Sequence, residues 1–151
     1  MLKQKFREEL TQAMLAKDEI KVSVLRMVLS AINYYEIGKG GAGYEASDED
    51  VLSVIQKEAK QHNDSIEQFK NAGRQDLVDK ETKELEVLKK YLPEQLNEAE
   101  IKKLVEDAIS QTGAKTITDM GKIMGALMPK VKGKADGSLV NRIVKESLTS
   151  L

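Results

Sequence analysis

The chain of 151 residues contains no cysteine, no tryptophan, a single histidine and two prolines. Without cysteine there is no disulfide, no thiolate metal ligand and no cysteine nucleophile. The lone histidine, His62, has no imidazole companion with which to build a metal centre. Among Gln61, Asn63 and Asp64 it reads as an exposed or half-buried structural residue. Aromatic residues make up 4% of the chain, and none follows Tyr91. The C-terminal part therefore cannot stack on nucleic-acid bases. The longest uncharged run, Met27 to Tyr35, is nine residues, well short of the ~18 that a membrane span requires. The N-terminus is charged from Lys3 onward and shows no apolar leader. These absences lead to the expectation of a soluble, cytoplasmic protein with no membrane partner.

What is present favours helices. Charged residues make up 32% and apolar residues 40% of the chain, with Lys, Glu, Leu and Ala prominent. The net charge of −1 conceals an uneven distribution. Residues 1–112 hold 17 Lys/Arg and 22 Asp/Glu, while residues 113–151 hold seven against three. An acidic body with a basic tail hints at a polyanionic partner.

Apolar residues recur at helical spacing along the whole chain, and no segment alternates with period two. Leu2, Phe6, Leu10, Ala13 and Met14 define a first helix. Asp18 caps a second, with Val22, Leu25 and Ile32, which ends at Gly38. Gly38 to Gly43 holds four glycines and predicts a mobile loop. Ser47 caps a third helix with Asp48, Glu49 and Asp50 in its first turn, where the helix dipole favours acids. A fourth runs from about Asp76 and is stopped before Pro93. A boundary at Leu92–Pro93 divides an N-terminal helical domain of about four helices, 1–92, from a C-terminal domain of three, 93–151. In the second part, Asn97 with Glu100 forms a capping box. Gly113 ends that helix, Thr118 caps the next, Pro129 marks its end or a kink, and Asp136 caps the last. The expected fold class is all-α.

Catalytic chemistry is not legible. The Gly38–Gly43 segment has the composition of a phosphate cradle, but a helical stripe precedes it where the mechanism needs a strand. No Gly-x-Ser-x-Gly or other activated nucleophile occurs. The run Asp48-Glu49-Asp50 is explained by its place after an N-cap rather than by a metal. Gly121 and Gly125, one turn apart, read first as a packing device for a neighbouring helix and second as a place where an RNA backbone comes close. No catalytic residue, cofactor or metal is expected. Attention falls on Asp119 to Asn141, which joins a glycine-notched helix to a basic loop carrying Lys130, Lys132 and Lys134, with Lys122 upstream. Gly133 and Gly137 are expected to loosen the backbone there. Cations on a loop beside a helix N-terminus suit a phosphate backbone, and suit an acidic protein surface almost as well.

The stretch Met120-Gly-Lys-Ile-Met-Gly-Ala-Leu-Met-Pro-Lys-Val-Lys-Gly-Lys-Ala-Asp-Gly-Ser-Leu-Val-Asn141 resembles the YqeY family. Further marks are Leu25-Arg-Met-Val-Leu-Ser-Ala-Ile32, Ser65-Ile-Glu-Gln-Phe69, Ala72-Gly-Arg-Gln-Asp-Leu77 and Tyr91-Leu-Pro-Glu-Gln-Leu96. The C-terminal domain of that family is similar to the tail of the B subunit of the tRNA-dependent Asp/Glu amidotransferase, a glutamine-dependent carbon–nitrogen ligase. The resemblance implies a two-part helical fold and a tail that contacts tRNA. Carried onto this chain, the candidate RNA contacts are Lys122, Lys130, Lys132, Lys134 and Arg142, with Lys145 as a weaker addition. Residues of the amidase and ATP-dependent centres are not matched, so ligase activity is implied by homology alone. The expectation is a non-catalytic protein that binds tRNA or structured RNA. The alternative is an adaptor or accessory of an aminoacyl-tRNA amidation complex.

Overall fold

The computed structural model describes residues 1–150. Among them are seven α-helices, one short 3₁₀ turn and no strand. The chain divides into two compact units, Met1–Leu92 and Pro93–Leu151.

The first unit holds α1 (Leu2–Leu15), α2 (Glu19–Gly40), α3 (Asp48–Asn71) and α4 (Gln75–Lys89). Short connections fold α1 onto α2 and α3 onto α4, as expected of helical hairpins. Asp18 accepts a hydrogen bond from the Lys21 N–H at 3.1 Å and starts α2. Ser47 and Asp50 close a reciprocal capping box at the start of α3. At the α3–α4 turn the chain passes through Gly73 at φ +69°, a left-handed position that suits glycine. Phe6, Leu25, Val28, Ile32, Val51, Ile55 and Leu88 fill the core. Phe6 meets Tyr91 edge to face, ring centroids 4.7 Å apart, and the Tyr91 hydroxyl donates to Glu9.

Three expectations change here. Met14 is 50% exposed: it follows Ala13 by about 100° around the helix, off the buried stripe. The helix expected to end at Gly38 continues to Gly40, and the segment after it is tied down. Glu36, only 8% exposed, accepts from the Ala46 N–H at 2.9 Å and from Lys3 Nζ at 2.6 Å. The Tyr35 and Tyr44 hydroxyls both donate to Asp50. His62, expected at the surface or half-buried, is 6% exposed and faces Glu81 and Glu84 of α4.

The second unit holds α5 (Glu98–Thr112), a 3₁₀ turn (Ile117–Asp119), α6 (Met120–Val131) and α7 (Gly137–Thr149). Ile101, Val105, Ile123, Leu127, Val131, Val140 and Val144 form its core. Asn97 and Glu100 form the capping box of α5, and Gly113 at φ +68° ends that helix in the left-handed region. Thr118 does not cap α6. Thr116 caps the 3₁₀ turn instead, with Asp119 as its reciprocal partner, and α6 continues directly from that turn. Pro129 sits in the last turn of α6, which runs two residues beyond it.

Candidate nucleic-acid interface

The α6 helix buries Ile123, Leu127 and Val131 and turns Gly121, Gly125 and Pro129 to solvent. The helical period puts these three on one ridge, with Lys122 along one flank. A Cβ placed on Gly121 or Gly125 meets nothing within 4 Å. No neighbouring helix therefore presses on either glycine, and the first reading of them as a packing device does not hold. The result is an exposed strip of helix backbone without long side chains.

Residues 120–135 carry Lys122, Lys130, Lys132 and Lys134 and no acidic residue. All four lysines are exposed. Lys122 Nζ lies 4.0 Å from Asp119. That carboxylate is held below the usual range by the N–H groups of Lys115 and Thr116, then by Lys122. It stays ionised and draws off part of one lysine's charge.

The segment after α6 is less loose than its glycines imply. Gly133 takes φ +76°, but the backbone around it is bonded. The Leu96 N–H donates to the Lys134 carbonyl at 2.9 Å, and Gln95 Nε2 donates to the Gly133 carbonyl at 3.0 Å. Val131 and Ala135 are buried on either side. Gly137 is the first residue of α7, whose Ser138 N–H is already taken by Asp136. A phosphate at this place would be held by lysine side chains more than by free helix amides.

Arg142 and Lys145 lie on α7, apart from the lysine segment in sequence. The Arg142 guanidinium donates to Glu98 at 2.8 Å and lies 3.9 Å from Glu146. Both carboxylates line a groove of about 640 Å³ between α5 and α7, together with Lys102 and Glu106. Arg142 thus stands in an acidic setting. Lys145 is exposed and does not line that groove. Within this unit, charge sorts by element: acids concentrate on α5, and lysines on α6 and the residues that follow it.

One cluster was not foreseen from the residues alone: in the first unit His62 of α3 meets Glu81 and Glu84 of α4. The two glutamates are three apart and so share a helix face, but nothing in the sequence says that His62 lies opposite them.

Helical hairpins with separate buried cores and no strand among the described residues define an all-α protein. The profile of the Yqey-like protein family matches residues 3–148, and the chain belongs to that family. It is similar to "Altered inheritance of mitochondria protein 41, mitochondrial" of Pyrenophora tritici-repentis, with 33% identity over 91% of this chain and 76% of the relative. The protein of the same name from Saccharomyces cerevisiae S288c is 34% identical over 91% of this chain and 78% of its own length. These relatives are mitochondrial by name, which overturns the expectation of a cytoplasmic protein. That expectation rested on missing features, and missing features do not specify a compartment. No helix among the described residues is long and apolar enough to cross a membrane.

Proposed function

We propose that the protein is a non-catalytic RNA-binding protein whose C-terminal domain, residues 93–151, engages tRNA or a similarly structured RNA. The observation that carries this reading is the α6 edge: four lysines and no acid over residues 120–135, beside a bare Gly121–Gly125–Pro129 ridge. Long side chains would hold a phosphodiester backbone away from the helix, and the ridge has none. Lys122, Lys130, Lys132 and Lys134 supply the charge. Arg142 and Lys145 lie at the margin, Arg142 after exchange of its carboxylate partners for phosphate. Recognition is of backbone and shape, because no aromatic residue follows Tyr91. The similarity of the family's C-terminal domain to the amidotransferase B-subunit tail supports tRNA as the first RNA to test.

A gel-shift with total tRNA at about 50 and 200 mM salt tests this reading. Four phosphate contacts give a log–log salt slope of about −3 to −4, hence a loss of roughly 100-fold in affinity across that range. The Lys130→Ala/Lys132→Ala/Lys134→Ala variant should lose most of the binding and most of the salt dependence. Binding that survives this triple change would remove the site assignment.

The α5–α7 groove favours a second reading. Its mixed acidic and basic lining suits a protein partner, such as a component of an aminoacyl-tRNA amidation complex. On that reading tRNA fails to shift at low salt, and a partner is recovered after nuclease treatment.

A further inference from the structure

His62 is the one histidine of the chain, and its side chain is 7% exposed. Its Nδ1 bonds to Glu81 and lies 3.9 Å from Glu84 Oε2. The glutamate side chains are 21% and 11% exposed. The three donor atoms lie within 4.8 Å of one another. A neutral imidazole with two carboxylates totals two negative charges, and a proton on the ring balances only one. Carboxylates partly withdrawn from water are stabilised by a counter-charge, and a divalent cation would supply one at the donor atoms themselves, in addition to Lys80 and Lys83 beside Glu84.

The second observation is Nε2. It is buried and has no hydrogen-bond partner, so the polar contacts of the ring run through Nδ1, on the side of Glu81 and Glu84. The ring is aimed at the carboxylates and offers them one nitrogen. A third observation is access. Glu84 also lines an open pocket of about 350 Å³ with Glu19, Asp76 and Asp79, beside Lys80 and Lys83.

We propose that His62, Glu81 and Glu84 bind a divalent transition-metal ion of the zinc class, clasping α3 to α4, with water completing the coordination. One imidazole nitrogen and two carboxylate oxygens are suitable donors for such an ion, and three protein ligands leave a position open. Bonds of about 2.0–2.2 Å hold tetrahedral donors roughly 3.3 Å apart. The Nδ1–Glu84 separation contracts modestly to reach this, and Nδ1 and Glu81 part to admit the ion. The metal takes the place of the proton they share, and that proton leaves to solvent. The site lies wholly within the first unit, so its test is independent of RNA binding.

The test uses the full chain, titrated with Zn²⁺ against a chromophoric chelator, with Co²⁺ substitution to read coordination geometry from the visible spectrum. The expected result is about one ion per chain and a low-coordinate Co²⁺ spectrum. His62→Gln and Glu84→Gln should each weaken binding at least about tenfold, the smallest loss seen even for outer-shell changes. Asp79→Asn, in the pocket but outside the donor set, should leave affinity unchanged. Helical circular dichroism checks folding. If His62→Gln does not fold, Glu84→Gln at the rim of the cluster decides alone. Absence of stoichiometric binding to the wild-type chain, or wild-type affinity in Glu84→Gln, overturns the proposal.

Discussion

Glu36 shows how much a single buried carboxylate can organise. It lies near the end of α2 and receives both the Ala46 N–H and Lys3 Nζ, so it ties α1 and the glycine-rich segment to one helix. Its carboxyl is held below the ordinary value of 4.5, first by the Ala46 N–H and then by Lys3. A lowered folded-state pKa means stability that is fully present above about pH 4.5 and lost as pH falls through the folded value. Asp50 is shifted in the same direction, chiefly by the Tyr35 hydroxyl and then by Ser47, while Tyr35 itself is pushed up to about 12. Urea midpoints should therefore fall below about pH 4.5. Glu36→Gln should lose about 1–3 kcal/mol at neutral pH through the Lys3 contact. The variant should also show a shallower acid dependence, with the remainder carried by Asp50, Asp76 and Asp119. Equal acid slopes in variant and wild type would assign the effect elsewhere. The bonds of Glu36 to Lys3 and Ala46, and of Asp50 to Tyr35, are not legible in the sequence. Ser47 with Asp50 could be read as a cap because capping acts over three residues, whereas Lys3 and Glu36 are 33 apart.

At the scale of the element, α6 combines poor helix residues with a defined helix. Gly125 stands in its interior, exposed, with open space where a Cβ would go. Replacing it by alanine should therefore stabilise the protein by about 1 kcal/mol, since nothing opposes the gain in helix propensity. The same methyl projects from the ridge proposed to meet RNA. Gly125→Ala is accordingly expected to raise the melting temperature and to weaken tRNA binding, read by thermal unfolding and gel-shift on the same sample. Unchanged binding would show that the ridge is not approached closely. The α6 helix also shows where local signals stop. Asn97 and Asp136 declare their helices because their side chains bond amides two or three residues on. Thr118 looked equivalent but lies inside a 3₁₀ turn, where Thr116 does the capping.

At the scale of the molecule, the two units have separate buried clusters, one built on Phe6, Leu25, Ile55 and Leu88 and the other on Ile101, Ile123, Leu127 and Val144. If residues 93–151 act as the RNA-binding domain, that fragment expressed alone should give a helical spectrum and keep tRNA affinity within a few-fold. Residues 1–92 alone should not bind. Fewer than about 60–70 residues make a marginal core, so the isolated C-terminal fragment should unfold at lower urea than the full chain. A folded fragment without affinity would move the interface out of the tail.

The sequence by itself determined the helices, most of their caps and the family. Helical periodicity and capping are local, acting over three or four residues, and the family motifs are contiguous. The exclusion of disulfides, thiolate metal sites and base stacking by the tail follows from composition alone. Only the tertiary structure decided which glycines are packed and which are bare. It also decided that Arg142 sits among carboxylates and that His62 is buried against Glu81 and Glu84. Those facts depend on which faces of separate helices meet. Burial and charge pairing are set by that meeting, and helical spacing within one segment carries no record of its partner.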